Sequence, residues 1–248
     1  ICPIRGRELL KIKDGAFVIS DAHYSKKRPQ LLSFLNDIKN KKLTPTQLVL
    51  MGDIFDLLFG GIQRTVKRNS KAVELINEIS KEIEVIYLEG NHDFNLKKVF
   101  KNAKVFTISQ QPVEVEIDHK KSYLAHGDIN SPAGYMIYTS IIRNRFVLYF
   151  LNIINILFNN VILKKLDRYL DKKDDCNKIK NFDTIVKKRL EDRFECEYFI
   201  EGHFHQDSSV VLKNMTYINL GAFACNQRYF VVKFANKELL QGNIYLGD

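Results

Sequence analysis

The first hundred residues alternate between short apolar runs and stretches with helical spacing. The runs "AFVIS" (16–20), "QLVLM" (47–51) and "VIYL" (85–88) are each typical of a buried strand. Between them, residues 27–42 and 63–84 carry apolar side chains three or four positions apart. This alternation predicts a βαβαβ opening with a mostly parallel, buried sheet.

The second half of the chain is richer in strand patterns. The segment 113–128 predicts a hairpin, because "VEVEI" alternates, "DHKK" turns and "SYLA" returns. Further strand candidates are "EYFI" (197–200), "SVVL" (209–212), "TYINL" (216–220), "YFVVKF" (229–234) and "NIYL" (243–246). The pattern therefore predicts an α/β fold, a β-sandwich with helices outside. We expect one domain over 1–248 with a helical insertion at about 129–196.

Polar residues that could bind a metal or transfer a proton lie where the predicted strands end. Asp21, Asp53 and Asn91 follow the first three strands, at the carboxyl ends where sites form in parallel sheets. Five of the six histidines also lie at predicted strand exits: His23, His92, His126, His203 and His205. The sixth, His119, lies in the hairpin turn, and we expect it to be exposed.

These residues predict a metal centre. They occur in the blocks "SDAHYS", "MGDIFD", "GNHDF", "AHGD" and "GHFH", which supply the imidazole and carboxylate donors that divalent ions need. In D-x-H and H-x-H, alternate side chains point the same way if the backbone is extended. Seven candidate ligands exceed the need of one ion, so we expect two, with Asp53 as a bridge. Two ions about 3.5–4 Å apart are suited to hydrolysing phosphate esters.

The ordered blocks, spanning residues 21–205, closely resemble the calcineurin-like metallophosphoesterase superfamily. The resemblance implies a four-layer fold, a double β-sheet flanked by helices. It implies that one metal is held by Asp21, His23, Asp53 and His205. It implies that the other metal is held by Asp53, Asn91, His126 and His203.

The resemblance also assigns the remaining members of "GNHD". His92 would face the substrate phosphate and protonate the leaving group or stabilise the transition state. Asp93 would orient His92 and balance its charge. Asp56 and Asp128 stand next to ligands, and turn formation explains them at least as well as a role in the site.

The insertion carries the features that bear on the substrate. Residues 129–196 contain 13 Lys/Arg and 8 Asp/Glu. Within them, 14 of the 18 residues in 146–163 are apolar or Tyr, and the four others are asparagines. The asparagines argue against a membrane-spanning helix. The alternatives are a core helix of a cap, or a lid that holds acyl chains or dips into a bilayer beside acidic headgroups.

The insertion and the late "NLGAF" strand resemble a narrower family, the UDP-2,3-diacylglucosamine pyrophosphatases of lipid A synthesis. This likeness implies a nucleotide-sugar lipid substrate, attack of water on the α-phosphorus, and release of UMP and 2,3-diacylglucosamine 1-phosphate. It implies Mn²⁺, with Zn²⁺ or iron as alternatives, and a cytoplasmic enzyme peripheral to the inner face of the bacterial membrane. Arg143, Lys172 and Lys173 are candidate phosphate contacts by charge alone, and the resemblance adds Asn91 and His92.

The net charge and the cysteine content limit which partners and which cellular compartment we expect. The net charge of +9 favours anionic partners, yet the surplus lies beside an apolar helix and no basic groove rich in aromatics is apparent, so we expect no nucleic acid. The four cysteines form no C-x-x-C pair, which predicts a reducing compartment without disulfides. The N-terminal residues lack the apolar core of a signal peptide.

Rival hypotheses are a phosphodiesterase or phosphatase for a soluble nucleotide or phosphoprotein, and a scaffold without catalysis. The sequence makes no prediction of oligomeric state.

Overall fold

A computed structural model describes residues 9–128, 133–173, 175–236 and 238–247. The predicted α/β sandwich is confirmed. One six-stranded sheet has the order β14-β13-β2-β3-β5-β7, and the other has the order β1-β8-β9-β10-β12-β11. The first contains β2 (Phe17–Ile19), β3 (Gln47–Leu50), β5 (Glu84–Leu88), β7 (Lys104–Phe106), β13 (Arg228–Val232) and β14 (Leu240–Ile244). The second contains β1 (Leu10–Ile12), β8 (Val113–Ile117), β9 (Lys120–Ala125), β10 (Tyr198–Glu201), β11 (Ser208–Leu212) and β12 (Met215–Asn219).

The apolar runs are continuous because their sheet is covered on both faces. Strands β2, β3, β5 and β7 pair in parallel, as the βαβ pattern predicts. Their odd and even side chains enter two different cores. Ile19, Leu50 and Tyr87 pack under α1 (Gln30–Lys39) and α3 (Ser70–Glu82). Val18 and Val49 pack in the core between the two sheets.

The outer face of the second sheet is covered by α7 (Phe182–Leu190). Phe182, Val186 and Leu190 of this helix join a core with Phe199 and Tyr217. The layers are therefore helix, sheet, sheet and helix. The short α8 (Phe223–Asn226) follows β12 at the edge where the metal-binding motifs lie.

Two predicted helices are divided in the structure. The helix predicted over 63–84 is split into α2 (Gln63–Arg68) and α3 at Asn69, whose side-chain amide donates to the Leu57 and Thr65 carbonyls. The apolar helix predicted over 146–163 is split into α5 (Arg145–Leu157) and α6 (Val161–Leu170). Asn159 and Asn160 have positive φ there, which asparagine tolerates better than most residues.

The helices within residues 133–173, which we call the cap, pack over the short parallel pair β4 (Leu58–Phe59) and β6 (Asp93–Phe94). The cap begins with α4 (Ala133–Arg143), and residues 129–132 and 174 of the predicted insertion lie outside the described residues. Leu148 of α5 and Leu163 of α6 join Phe59 and Phe94 in one buried cluster. This cluster fixes the cap directly above the loops that carry Asp53 and His92.

A disulfide also joins the insertion to the rest of the chain, and the prediction of no disulfide is wrong. Cys176 is bonded to Cys225 of α8, with their Cα atoms 5.7 Å apart. The two cysteines are 49 positions apart in sequence, and only the return of the insertion across α8 brings them together. Cys196 is free and buried, and Cys2 lies outside the described residues.

Candidate metal centre

The predicted motif residues meet at one edge of the sandwich. Asp21 and His23 follow β2, Asp53 follows β3, and Asn91 and His92 follow β5. His126 follows β9 of the other sheet, and His203 and His205 follow β10. Both sheets therefore contribute, and the strand exits converge as expected for parallel strands. His119 is 94% exposed at its side chain and lies in the hairpin turn, as predicted.

One group of potential ligands consists of Asp21, His23 and His205. Their donor atoms all lie within 4.8 Å of one another, and all three residues are buried. His205 Nε2 is 3.0 Å from Asp21 Oδ1. Neither ring nitrogen of the buried His23 has a hydrogen bond, although Nδ1 lies 3.3 Å from an Asp56 oxygen. A buried ring nitrogen normally has a hydrogen-bond partner, and a bound metal ion would satisfy a His23 nitrogen that lacks one.

A second group consists of Asp53, His126 and His203, with Asn91 beside it. His126 Nε2 lies at its centre, 3.4 Å from Asp53 Oδ2, 3.3 Å from Asn91 Oδ1 and 3.2 Å from His203 Nδ1. Six of the seven predicted ligands thus fall into two groups that share no residue, and His23 also forms a third group with Asp56 and His92. Asp53 belongs to the second group and also lies near His23 of the first group and near His92.

Hydrogen bonds to backbone carbonyls orient two of the ligand rings. His126 Nδ1 is 3.0 Å from the Met51 carbonyl, and His205 Nδ1 contacts the Asp175 carbonyl. A carbonyl only accepts, so Nδ1 carries the hydrogen and Nε2 keeps a lone pair toward the centre. Metal-binding histidines commonly have this arrangement. Together with the unpartnered His23 ring, it shows that these residues fit a divalent ion.

The electrostatic field of the site favours cations. Burial acts against the charged form of His126, but the carboxylates of Asp53, Asp128 and Asp21 raise the pKa of His126 well above its usual value. Burial would raise the pKa of Asp53 as well, yet the surrounding histidines hold that pKa well below its ordinary value. The same concentration of carboxylate charge that attracts a proton to His126 would attract a divalent cation.

The backbone at the ligands is left-handed, so the predicted extended geometry of D-x-H and H-x-H is wrong. Asp21, His23, Asp53, His203 and His205 all have φ between 45° and 63°. Each such residue costs about 1–3 kcal/mol, which the surrounding structure must offset. The chain turns sharply at each strand exit, and these turns, rather than strand alternation, aim the side chains inward.

Two glycines of the motifs make room for the ligands. A Cβ at Gly90 would lie 2.2 Å from Asp53 Oδ1, closer than any real contact. A Cβ at Gly52 would lie 2.5 Å from His126 Nδ1, and Gly52 also has a φ of 88°. Both positions require glycine because the ligand side chain passes directly over the backbone.

Asp93 supports the Asp53 loop rather than His92, so its predicted contact is wrong. Its Oδ1 accepts from the backbone N–H groups of Asp53 and Gly90, at 3.0 and 2.9 Å. Its Oδ2 accepts from the Ile54 and Phe55 N–H groups and the Tyr87 hydroxyl.

His92 is oriented instead by the Asp56 carbonyl, 3.0 Å from Nδ1. Burial and the charge of Asp53 raise the pKa of Asp93 to about 7.

The basic candidates of the insertion differ from one another. Arg143 donates to the Gly90 carbonyl at 3.0 Å and to Asp128 at 3.3 Å, so it joins the cap to the site and is engaged within the protein. Lys173 is 3.1 Å from Asp175. Burial lowers the pKa of His92, and the charges of His23 and Lys173 add to that effect. Lys172 is exposed just after α6.

Asp175 is a site residue that the sequence analysis missed. Its carbonyl holds the His205 ring, and its buried carboxylate pairs with Arg28 at 2.8 Å. No motif surrounds it, and only the neighbouring Cys176 marks this part of the insertion. The end of the insertion is therefore part of the metal centre's support.

Comparison with known proteins agrees with this geometry. The family model for the calcineurin-like phosphoesterases matches residues 16–207, and the chain belongs to this family. It is thus a metal-dependent phosphoester hydrolase.

Among curated proteins, the chain is 24% identical over 195 residues to UDP-2,3-diacylglucosamine hydrolase of Psychromonas ingrahamii, covering 76% of this chain and 79% of that one. It is 24% identical over 234 residues to the Wigglesworthia glossinidia brevipalpis protein of the same name, covering 88% and 93%. Among solved structures, an archaeal phosphodiesterase aligns with a TM-score of 0.45 and 15% identity, covering 93% of this chain and 99% of that one.

Proposed function

We propose that this protein hydrolyses the pyrophosphate of UDP-2,3-diacylglucosamine, giving UMP and 2,3-diacylglucosamine 1-phosphate. Water forms a bond to the α-phosphorus, and the bond from that phosphorus to the bridging oxygen breaks. The lipid sugar phosphate leaves with the bonding electrons. The observation that carries the proposal is a phosphoesterase metal centre directly beneath a cap with an exposed apolar face.

Two divalent ions, which we propose to be Mn²⁺, would be held by the two groups of ligands. The first group is Asp21, His23, Asp53 and His205. The second group is Asp53, Asn91, His126 and His203. Ions bound there supply Lewis-acid activation of water and neutralise the charge of the phosphate in the transition state. The protein holds the donors in place through the carbonyl contacts of His126 and His205.

His92 is proposed to serve the substrate and not a metal. Its Nδ1 hydrogen is committed to the Asp56 carbonyl, which leaves Nε2 to exchange a proton with a substrate oxygen. Nε2 is 3.9 Å from Asp53 Oδ2, so a phosphate bound by the Asp53 group would lie within its reach.

Arg143, Lys172 and Lys173 remain our proposed phosphate contacts. Lys173 is 3.1 Å from Asp175, whose carbonyl contacts the His205 ring.

The cap is proposed to accommodate the lipid. Eight large apolar side chains of α4 and α5 are each more than half exposed: Ile137, Tyr138, Ile141, Phe146, Tyr149, Phe150, Ile156 and Leu157. On α5 they recur at spacings of three, four and seven residues, which places them along one side of the helix. Soluble proteins rarely leave so many large apolar side chains together in water. Acyl chains, or the membrane that contains them, would cover this face.

Basic residues flank the apolar face and support contact with an acidic membrane surface. Arg145 begins α5, and Lys164, Lys165 and Arg168 lie on α6, where all four are exposed. Each could add about 1 kcal/mol of attraction to anionic lipid. Within the described residues, no one helix has the length and apolarity to cross a bilayer. Residues Ile137–Arg143 and Arg145–Leu157 meet those criteria only as a pair, bent by 69°.

Phosphorus NMR of UDP-2,3-diacylglucosamine with the manganese-loaded protein in oxygen-18 water tests the reaction. We expect UMP that carries the label, because attack falls on the α-phosphorus. Label in the lipid sugar phosphate would place attack on the other phosphorus. No cleavage, together with hydrolysis of bis(p-nitrophenyl) phosphate, would return the substrate to the soluble class of phosphodiesters.

The proposed roles in the site are tested by two substitutions. His92→Ala should keep its metal content by elemental analysis and lose most of kcat. Asp53→Ala should lose metal. An unchanged kcat in His92→Ala would show that this residue does not act on the substrate.

A further inference from the structure

A groove of about 340 Å³ lies between the cap and the catalytic domain, on the side of the first ligand group. Its walls are α2, α6 and the loop that follows His23. Asp56 lines its inner end, and one Asp56 oxygen is 3.3 Å from His23. A molecule whose phosphate is bound at the metal centre could therefore extend one arm into this groove. Its volume is within the range of small-molecule sites, roughly 300–1,000 Å³.

Cationic side chains from three separate elements face this groove. Lys26 comes from the loop after β2, Arg64 from α2 and Lys164 from α6. Within the described part of the chain, none of the three has an ion pair or a side-chain hydrogen bond. Three unpaired cations around one concave surface favour an anionic ligand such as a phosphate.

The groove also offers acceptors for hydroxyl groups. Asp167 of α6 pairs with Arg68 of α2 at 2.8 Å, and Asp171 pairs with Lys27 at 2.7 Å. These two pairs cross the groove and hold its walls together. Their carboxylates keep free lone pairs, which suit the neighbouring hydroxyls of a ribose. Tyr24 adds an aromatic side chain to the wall.

Acyl chains do not match this surface. Five cations and three carboxylates line the groove, and burying them against hydrocarbon would carry a large desolvation cost. The exposed apolar side chains lie instead on α4 and α5. The two arms of a lipid-linked nucleotide would therefore leave the metal centre toward different parts of the cap.

We infer that the groove between α2 and α6 binds the nucleoside monophosphate arm of the substrate. The phosphate of this arm is the one bound at the metal centre, at the inner end of the groove beside Asp56, and Arg64, Lys164 and Lys26 donate to its oxygens from the groove side. The α6 carboxylates accept from its ribose hydroxyls. This inference rests on the proposed function, because it assigns one half of that substrate to a surface.

Calorimetric titration of the manganese-loaded protein with UMP tests the inference without the lipid substrate. The variant is the double substitution Arg64→Ala and Lys164→Ala. Lys165→Ala is the matched control, since it removes an exposed cation of the same helix that does not line the groove. Metal content and circular dichroism establish that each variant is folded and loaded. Glucosamine 1-phosphate serves as the probe for the other arm.

We expect the Kd for UMP to rise at least about tenfold in the double variant, because each lost contact to phosphate is charge-assisted. The Lys165→Ala variant should match the wild type, and the Kd for glucosamine 1-phosphate should change less than that for UMP. Equal UMP affinity in the double variant, or no UMP binding by the wild type, overturns the inference. A selective loss of glucosamine 1-phosphate binding would assign the groove to the other arm and also overturn it. Failure of the proposed function is a separate result, since UMP could still bind when the lipid nucleotide is not cleaved.

Discussion

Replacing Asp93 with Asn tests whether this buried carboxylate holds the metal-binding loop in place. The carboxylate accepts from four backbone N–H groups and the Tyr87 hydroxyl. An asparagine keeps one oxygen and places an amide group where the other stood. At least two backbone N–H groups would then face another donor. Each lost bond to a charged acceptor is worth about 1.5–3 kcal/mol, so the substitution should cost about 3–6 kcal/mol.

Urea unfolding followed by circular dichroism measures this cost, and elemental analysis measures the metal content. The comparison is made above pH 7, since the pKa of Asp93 is about 7 and its carboxylate is then ionised. Because this pKa is raised from 3.8, ionisation lowers the stability of the wild type as the pH rises to about 7, so the cost of the neutral asparagine should be smallest above pH 7. Tyr87→Phe is the matched control. It removes one donor and leaves both carboxylate oxygens with backbone partners, so we expect a loss of about 1.5 kcal/mol and normal metal content.

The alternative is that Asp93 acts only through His92. In that case Asp93→Asn would keep its stability and metal and lose turnover alone. A loss of stability below about 1 kcal/mol with full metal content would refute the scaffold role. We expect instead that metal is lost, because Asp53 has a φ of 50° and depends on this carboxylate to stay there.

Three further substitutions test other parts of the structure. Cys225→Ser should lower the free energy of unfolding by about 4 kcal/mol, because the disulfide closes a loop of 49 residues. Dithiothreitol should destabilise only the wild type. Equal urea midpoints for the variant and the wild type would contradict this stabilising role. Gly90→Ala puts a methyl group 2.2 Å from a carboxylate oxygen and should lower metal content, whereas Gly134→Ala, with open space around it, should match the wild type in the same elemental analysis. Leu148→Ala should destabilise the protein by about 2–5 kcal/mol in urea titration, and the exposed Phe150→Ala by less than about 0.5 kcal/mol; similar losses would show that the cap is not anchored by its buried cluster.

Local patterns predicted much of the fold. The runs that became β2, β3 and β5 are apolar because both faces of their sheet are covered, and this signal lies within each segment. The polar residues after those runs were informative because parallel strands end at one edge. The helix over 146–163 was wrong because periodicity does not register a break of three residues, and asparagine can adopt the conformation that such a break requires.

The parts of the site that the sequence did not predict depend on contacts between distant segments. Asp93 follows His92 in sequence, so adjacency suggested that they interact, yet its carboxylate turns to a loop 40 positions earlier. Arg143 was a candidate for phosphate binding by charge, and the structure uses it to join the cap to Asp128. Cys176 and Cys225 gave no short-spacing signal for the same reason. Such pairings are set by topology and cannot be read from one segment.

The segment that follows α6 contacts both the metal centre and α8, and so binds one end of the cap to the catalytic domain. Asp175 holds a metal-binding histidine through its carbonyl, and Cys176 is bonded to α8. The insertion is thus not a module that could be exchanged whole between relatives. Under the proposed function, a chimera that replaced only 145–170 would change the surface that meets the lipid and leave the metal centre supported. A graft extending past 175 would have to bring its own partner for His205.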